Sequence, residues 1–264
     1  MSCLRVYSLY SGSTGNAFLI EYNGDCILID AGKSAKRLRT ALADAGVSPE
    51  AIKAILVTHE HGDHVKALPV FLKKHPIPVH LPVACAARLE QEESVAPLLH
   101  RHLPICTEEI CGVRVTSFPT PHDSRGSVGY RIEIPCERGT FRIGYATDMG
   151  YVSQEVADGL CGCDAVILES NHDPEMLENG PYPYDLKLRI ASRRGHLSNP
   201  DSAAFAAKLC ATGTKKLMLA HLSQENNTPD IAYDECAGAV GDEGVQICIA
   251  QPDCVTEFFT EVAL

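Results

Sequence analysis

No stretch of these 264 residues is apolar and long enough to span a membrane. The opening MSCLRVYSLYSGS has one early Arg but lacks the apolar core and small-residue cleavage site of a secretion signal. These absences predict a cytosolic chain. Its twelve cysteines are scattered mostly singly through apolar runs, with no CxxC pair and no secretion signal, a pattern that argues against a disulfide framework. Reduced, buried thiols are expected instead, and the Cys161/Cys163 pair is too slight a pattern for a metal site. Positive charge is also in short supply. The 23 Lys and Arg stand against 34 Asp and Glu, a net charge of −11 that argues against broad nonspecific nucleic-acid binding. A local basic track stays compatible with that balance, and bound cations would offset part of the acidic charge. No low-complexity linker, charge block or short repeat divides the chain. With 45% hydrophobic residues it can bury a large core, so residues 1–264 are expected to form one domain.

What recurs is a short apolar strand followed by a polar loop. CILID (26–30), AILVT (54–58), VRVTSF (113–118), RIGYAT (142–147), AVILES (165–170) and LMLA (217–220) are continuous apolar runs of the kind covered on both faces. Each ends at a residue capable of chemistry. Between them, residues 34–45 carry helical spacing and stop at Gly46, and Asn199-Pro200 is expected to cap and open a helix over SAAFAAKLC. This mixture predicts an α/β fold, as a four-layer αββα sandwich.

The strongest chemical signal is Thr58-His59-Glu60-His61-Gly62-Asp63-His64, directly after the strand AILVT. Three imidazoles and a carboxylate within six residues are costly to hold together unless a cation binds them. Further ligand types stand at other strand exits: His122 after VRVTSFPTP, Asp148 after RIGYAT, His221 after LMLA. Ligands delivered by strand ends converge on one sheet edge.

THEHGDH, the later His, Asp and His, and the earlier ILIDAG resemble the five motifs of the metallo-β-lactamase fold superfamily, over residues 4–264. The resemblance implies His59, His61 and His122 on one metal ion, Asp63, His64 and His221 on a second, and Asp148 bridging. It also implies that Asp30, at the end of CILID, holds the ligand geometry from behind. Imidazole and carboxylate ligands suit two divalent ions, Zn, Mn, Fe or Ni. Lactamases with a Cys ligand lack a His in the place of His64, so a thiol ligand is disfavoured. Thioesterases of the glyoxalase II type carry a GHTxG third motif, whereas PTPHDSRGSVGY (119–130) resembles the phosphodiesterase and nuclease branch.

LESNHD (168–173), GHLSN (195–199) and HLSQENN (221–227) follow an order similar to RNase Z, in which Glu169 and His196 would form an acid pair. With SGSTGN (11–16), these motifs resemble the bacterial YycJ/WalJ group, which implies 5′→3′ exonuclease activity on DNA. Only 26 positions separate His122 from Asp148 and 73 separate Asp148 from His221, leaving room neither for a tRNA-clamping arm nor for the extra domain of the RNase J group. The expected mechanism is in-line attack on a phosphodiester by a hydroxide shared between two metals roughly 3.5–4 Å apart, with His196 giving the leaving oxygen its proton. An ordinary hydrogen-bonded His is the plainer account of His196.

Two readings stand for each outlying candidate. His172 either contacts substrate or caps the turn before Pro174. The loop Ser11–Asn16, with Ser13 and Asn16, either presents amides to a phosphate or is a plain strand-to-strand turn. Lys33, Lys36, Arg37, Arg39, Lys187, Arg189, Arg193 and Arg194 either steer a phosphate backbone or, for Lys36 to Arg39, form a solvated helix face. A thioester or other small-molecule hydrolase is the alternative enzyme. A regulator that keeps the fold only for binding is disfavoured by the complete ligand set.

Overall fold

The computed structural model describes residues 3–137 and 139–262. Among them, fourteen strands make two seven-stranded mixed sheets. The first contains β1 (Cys3–Tyr10), β2 (Ala17–Tyr22), β3 (Asp25–Ile29), β4 (Ile52–Leu56), β5 (Val79–Pro82), β6 (Leu99–His102) and, from the far end of the chain, β14 (Thr256–Val262), ordered β14-β1-β2-β3-β4-β5-β6. The second runs β13-β12-β11-β10-β9-β8-β7, where β7 is Cys106–Ile110, β8 Val113–Pro119, β9 Val128–Cys136, β10 Gly139–Ala146, β11 Ala165–Glu169, β12 Lys216–Ala220 and β13 Gln246–Ile249.

The alternation of strand side chains builds three apolar layers from these runs. In β3, Ile27 and Ile29 face the other sheet, where they join Ile143, Tyr145, Ile167 and Met218, while Cys26 and Leu28 face the outer helices. That outer layer is covered by α1 (Ala35–Asp44), α2 (Gly62–Val65), α3 (Leu68–Phe71) and α4 (Ala86–Leu89), through Leu38, Leu42, Val65, Phe71 and Leu89. On the second sheet, Val166, Leu168, Leu217 and Leu219 pack beneath α5 (Gln154–Leu160), α8 (Asn199–Ala211) and α9 (Pro229–Val240). Two short helices, α6 (Pro174–Asn179) and α7 (Tyr184–Ile190), lie between β11 and α8. Both faces of each sheet are therefore buried, at about 1.5–3 kcal/mol per large aliphatic side chain, which is why the strands read as unbroken apolar runs. The expected αββα sandwich is the observed one.

Two expectations need correction. Ser198, not Asn199, caps α8: its hydroxyl accepts from the Asp201 amide, and Pro200 follows in the first turn. Asn199 is buried instead, its amide tied to Ser170 and Asn227. The cysteines are free thiols, but only Cys26, Cys85, Cys163 and Cys236 are buried, and Cys111 and Cys254 are exposed. Cys111 sits in the β7–β8 turn with φ 53°, where the hairpin places it outward. No helix among the described residues is long and apolar enough to cross a membrane.

Gly32, in the loop after β3, is where the first motif meets the histidine run. Its amide donates to Asn16 O, and a Cβ there would lie 2.0 Å from the carbonyl oxygen of Asp63. Backbone cannot yield as a flexible side chain does. Gly32→Ala is expected to cost roughly 2–3 kcal/mol, a melting-temperature fall of about 5–10 °C by calorimetry; an unchanged melting point would contradict this packing.

Candidate metal centre

The loops that leave β3, β4, β8, β10, β11 and β12 at their carboxyl ends deliver one cluster of side chains. His59, His61 and His122 bring ligand atoms within 4.8 Å of one another, and so do Asp63, His64, Asp148 and His221. A third set, Asp148, Glu169, His196 and His221, overlaps the second. The sequence-predicted acid pair and the predicted ligands thus share one site.

Backbone conformation aims several of these groups. Asp30 (φ 61°), Asp148 (φ 59°) and His221 (φ 58°) each occupy the left-handed region one or two residues beyond a strand. A non-glycine residue there stores about 1–3 kcal/mol of strain, and such positions concentrate at functional sites. The reversal turns each side chain back over the sheet edge. At His221 the turn is held by its amide, which donates to Ser11 Oγ at 2.8 Å.

Each imidazole except His61 is fixed through Nδ1. His64 Nδ1 donates to Asp30 Oδ2 at 2.7 Å, and Asp30 also accepts from the Thr58 amide (2.8 Å) and hydroxyl (2.9 Å). The Thr58 hydroxyl in turn lies 3.0 Å from His59 Nδ1. His122 Nδ1 donates to Gly195 O at 3.1 Å, and His221 Nδ1 lies 3.3 Å from Glu169 Oε1. His61 instead faces His122 with its Nδ1. With Nδ1 occupied, Nε2 is the nitrogen left for the cluster.

Glu169 does more than the sequence indicated. Its Oε1 accepts from His196 Nδ1 at 2.7 Å besides its contact with His221, while Oε2 accepts from the amides of Met149 and Leu197. Burial opposes its ionisation, but the His196 charge and the hydrogen bonds from His196 and His221 push its pKa down to about 2. Burial likewise opposes charge on Asp148, and the His221 and His64 charges hold it well below the usual range. For His64, burial is outweighed by Asp148, Asp30 and Asp63, which raise it well above an ordinary imidazole; His221, facing Asp148, Asp63 and Glu169, is pushed up to about 10. His59, fully buried and beside His64, is pushed well down.

Of the outlying candidates, Ser13 and His196 line a cleft of about 200 Å³ together with His122, Asp123, Asn171 and Arg189. Arg194 reaches the rim, its Nε 3.3 Å from His122 O. Asn16 is fully buried, its side chain bonded to Gly12 and Ser11 and 3.3 Å from His64 Nε2. His172 is buried beside the cleft wall, and Asp173 rather than His172 caps the following helix α6. Lys36 is exposed on α1 and is absent from the cleft lining. The expected basic track is partly neutralised, since Lys33 and Arg37 pair with Asp253 and Arg189 pairs with Asp123. Sequence reasoning did not single out Asn171, whose amide donates to His221 O, or Asp123, the residue after His122. Their place inside the SNHD and PTPHDS motifs was the only signal.

The cluster fits divalent metal. His59 Nε2, His221 Nε2 and Asp148 Oδ2 are buried without a hydrogen-bond partner, an arrangement that costs about 1–3 kcal/mol per atom unless something else satisfies them. Nitrogen and carboxylate donors around one point suit a dication. Adding Zn or Mn to chelator-treated protein is expected to stabilise it by about 4 kcal/mol at a thousandfold excess over Kd, read as a melting shift. Because the His221 proton must leave first, apparent affinity should rise with pH up to about 10 and fall as pH drops. Asp30→Asn should weaken binding by about 10- to 100-fold, measured by competition with a chromogenic chelator.

The β-lactamase superfamily domain matches residues 26–222. The chain is 34% identical over 229 residues to the exodeoxyribonuclease WalJ of Streptococcus pneumoniae, covering 85% of this chain and 84% of that one. It is 33% identical over 238 residues to the exodeoxyribonuclease YycJ of Bacillus anthracis, covering 89% of each. Among solved structures, the metallo-β-lactamase fold protein YhfI of Bacillus subtilis superposes with a TM-score of 0.74 over 97% of this chain and 99% of that one, at 17% identity, a likeness of fold alone. The chain belongs to the β-lactamase superfamily of metal-dependent hydrolases and, within it, to the WalJ/YycJ family.

Proposed function

We propose that the protein is a phosphodiesterase that degrades DNA in the cytoplasm as a 5′→3′ exonuclease, with residues 1–264 acting as one domain and two divalent ions, Zn, Mn, Fe or Ni, as cofactors. The observation that carries the hydrolytic reading is the convergence of His59 Nε2, His221 Nε2 and Asp148 Oδ2, buried and unpartnered, beside a cleft lined by His196. DNA and the exonuclease mode are taken from the relatives named exodeoxyribonuclease.

In this reading His59, His61 and His122 would hold one ion, Asp63, His64 and His221 the other, and Asp148 would be the carboxylate available to both. When bound, the pair supplies an activated water and neutralises charge on the phosphodiester. Asp30 and Thr58 keep the ligating imidazoles in one tautomer. Glu169, its pKa near 2, stays ionised at neutral pH and orients His196 so that its free nitrogen gives a proton to the leaving oxygen. Ser13 and Arg194 contact the strand at the cleft rim, with Asn16, His172 and Lys36 as outer contributors through loop shape, wall and charge.

Purified protein loaded with Mn is expected to release nucleotides from end-labelled DNA and to hydrolyse bis-p-nitrophenyl phosphate. Asp63→Ala should abolish both. Inactivity of the wild type on DNA, RNA and the small diester alike would sink the proposal. His196→Ala should lower turnover by about 10²–10⁴-fold while sparing metal content, measured by elemental analysis; loss of metal as well would make His196 a ligand. If about four cations meet the strand, DNA cleavage should fall roughly 50- to 150-fold between about 50 and 200 mM salt. A flat response would point to a small substrate.

A further inference from the structure

Helix α7 leaves apolar side chains without a protein partner. None of its residues is buried, and Tyr184 and Leu188 are 72% and 52% exposed. A helix of seven residues gains most of its stability from packing, so a bare apolar face on it needs a reason. Beside α7 lies an open groove of about 520 Å³, walled by His172, Leu177, Tyr182, Tyr184, Lys187 and Leu188. That volume lies within the ~300–1,000 Å³ of small-ligand sites.

The groove adjoins the cleft. Tyr182 lines both, and α7 is the partition between them, with Leu186, Arg189 and Ile190 toward the cleft and Tyr184, Lys187 and Leu188 toward the groove. The partition is anchored at the catalytic end, because Ile190 O accepts from the His196 amide at 2.9 Å and a Cβ on Gly195 would lie 2.1 Å from that oxygen. The α7 segment is the basic part of an acidic chain. Residues 182–194 carry Lys187, Arg189, Arg193 and Arg194 against Asp185, with Arg189 paired to Asp123. The groove lining itself holds one cation, Lys187, and one acid, Glu178, whose carbonyl oxygen accepts from Lys187 Nζ at 2.7 Å. Aromatic and aliphatic surface on a basic segment beside the cleft matches a single nucleic-acid strand, whose bases present flat apolar faces at fixed distance from phosphates.

We propose that this groove seats a base of the DNA strand next to the bond that is cut, with Tyr182 and Tyr184 as the stacking surface and Lys187 toward the adjoining phosphate. The inference rests on the phosphodiesterase reading above and adds a selection rule: a base within an intact duplex is already stacked, so single-stranded or frayed ends are preferred.

The test uses the full chain loaded with Mn, with Tyr184→Ala, Tyr184→Phe and, as a control on α9, Tyr233→Ala, which does not line the groove. Loss of base stacking worth about 1–3 kcal/mol predicts a KM for single-stranded DNA raised about 5- to 150-fold in Tyr184→Ala, and a DNA to bis-p-nitrophenyl phosphate ratio of kcat/KM lowered by the same factor. Tyr184→Phe, which keeps the ring, should restore both, and Tyr233→Ala should match wild type. Independently of turnover, a strand ending in 2-aminopurine should lose fluorescence on binding to Asp63→Ala protein, and the quench should disappear when Tyr184→Ala is added. An unchanged KM with the quench retained overturns the groove and leaves the phosphodiesterase standing; wild-type inactivity on every diester overturns both. A dimer in sedimentation that Tyr184→Ala dissociates, with DNA cleavage unaltered, would assign the face to a second copy of the chain and overturn the proposal.

Discussion

The buried contact between His64 and Asp30 is the constraint on which much else depends. Neither side chain has any exposure, and an imidazole and carboxylate taken out of water survive only when paired and further hydrogen-bonded. Asp30 meets that condition by accepting from both donors of Thr58, the residue at which β4 gives way to the histidine run. One carboxylate therefore ties the end of β3 to the end of β4 and sets which nitrogen of His64 faces the cluster. Through the Thr58 hydroxyl the same network reaches His59.

Glu169 repeats this device on the second sheet. It is fully buried, receives two amides through one oxygen, and holds His196 and His221 through the other. The two sheets thus contribute one anchoring carboxylate each, and the cluster lies where their strand ends meet. Asp30, Asp148 and His221 all sit in left-handed conformations at those ends. The strain is supportable because the apolar layers beneath, from Ile27 and Ile29 across to Ile143 and Ile167, leave the loops no other course.

A site so full of fixed charge needs an approach that does not repel an anionic substrate. Bound cations would offset the acidic groups of the cluster, and Arg189, paired with Asp123, lines the cleft with Arg194 beside it. Residues 187–194, with four cations and no acid, thus differ in sign from the chain's net charge of −11.

Much of this was legible in the sequence. Continuous apolar runs ending in His or Asp gave the strands, their burial on both faces and the arrival of His59, His122, Asp148 and His221 at one edge, because strand periodicity and ligand chemistry are local properties. The cap of α8 was misplaced by one residue, since Ser and Asn are nearly equal caps and only the burial of Asn199 against Ser170 and Asn227 separates them. Residue type alone predicts buried cysteines, whereas the placement of their segments in the fold leaves Cys111 and Cys254 outside. The second role of Glu169, the Gly195 carbonyl behind His122, the left-handed turns and the bare face of α7 joined residues 27 to 73 positions apart or depended on a backbone sign. The chain by itself determined which groups could do chemistry and at which strand ends they stand. The tertiary structure alone decided which nitrogen His64, His122 and His221 offer, because that choice belongs to a hydrogen-bond partner, Asp30, Gly195 or Glu169, brought in from elsewhere in the fold.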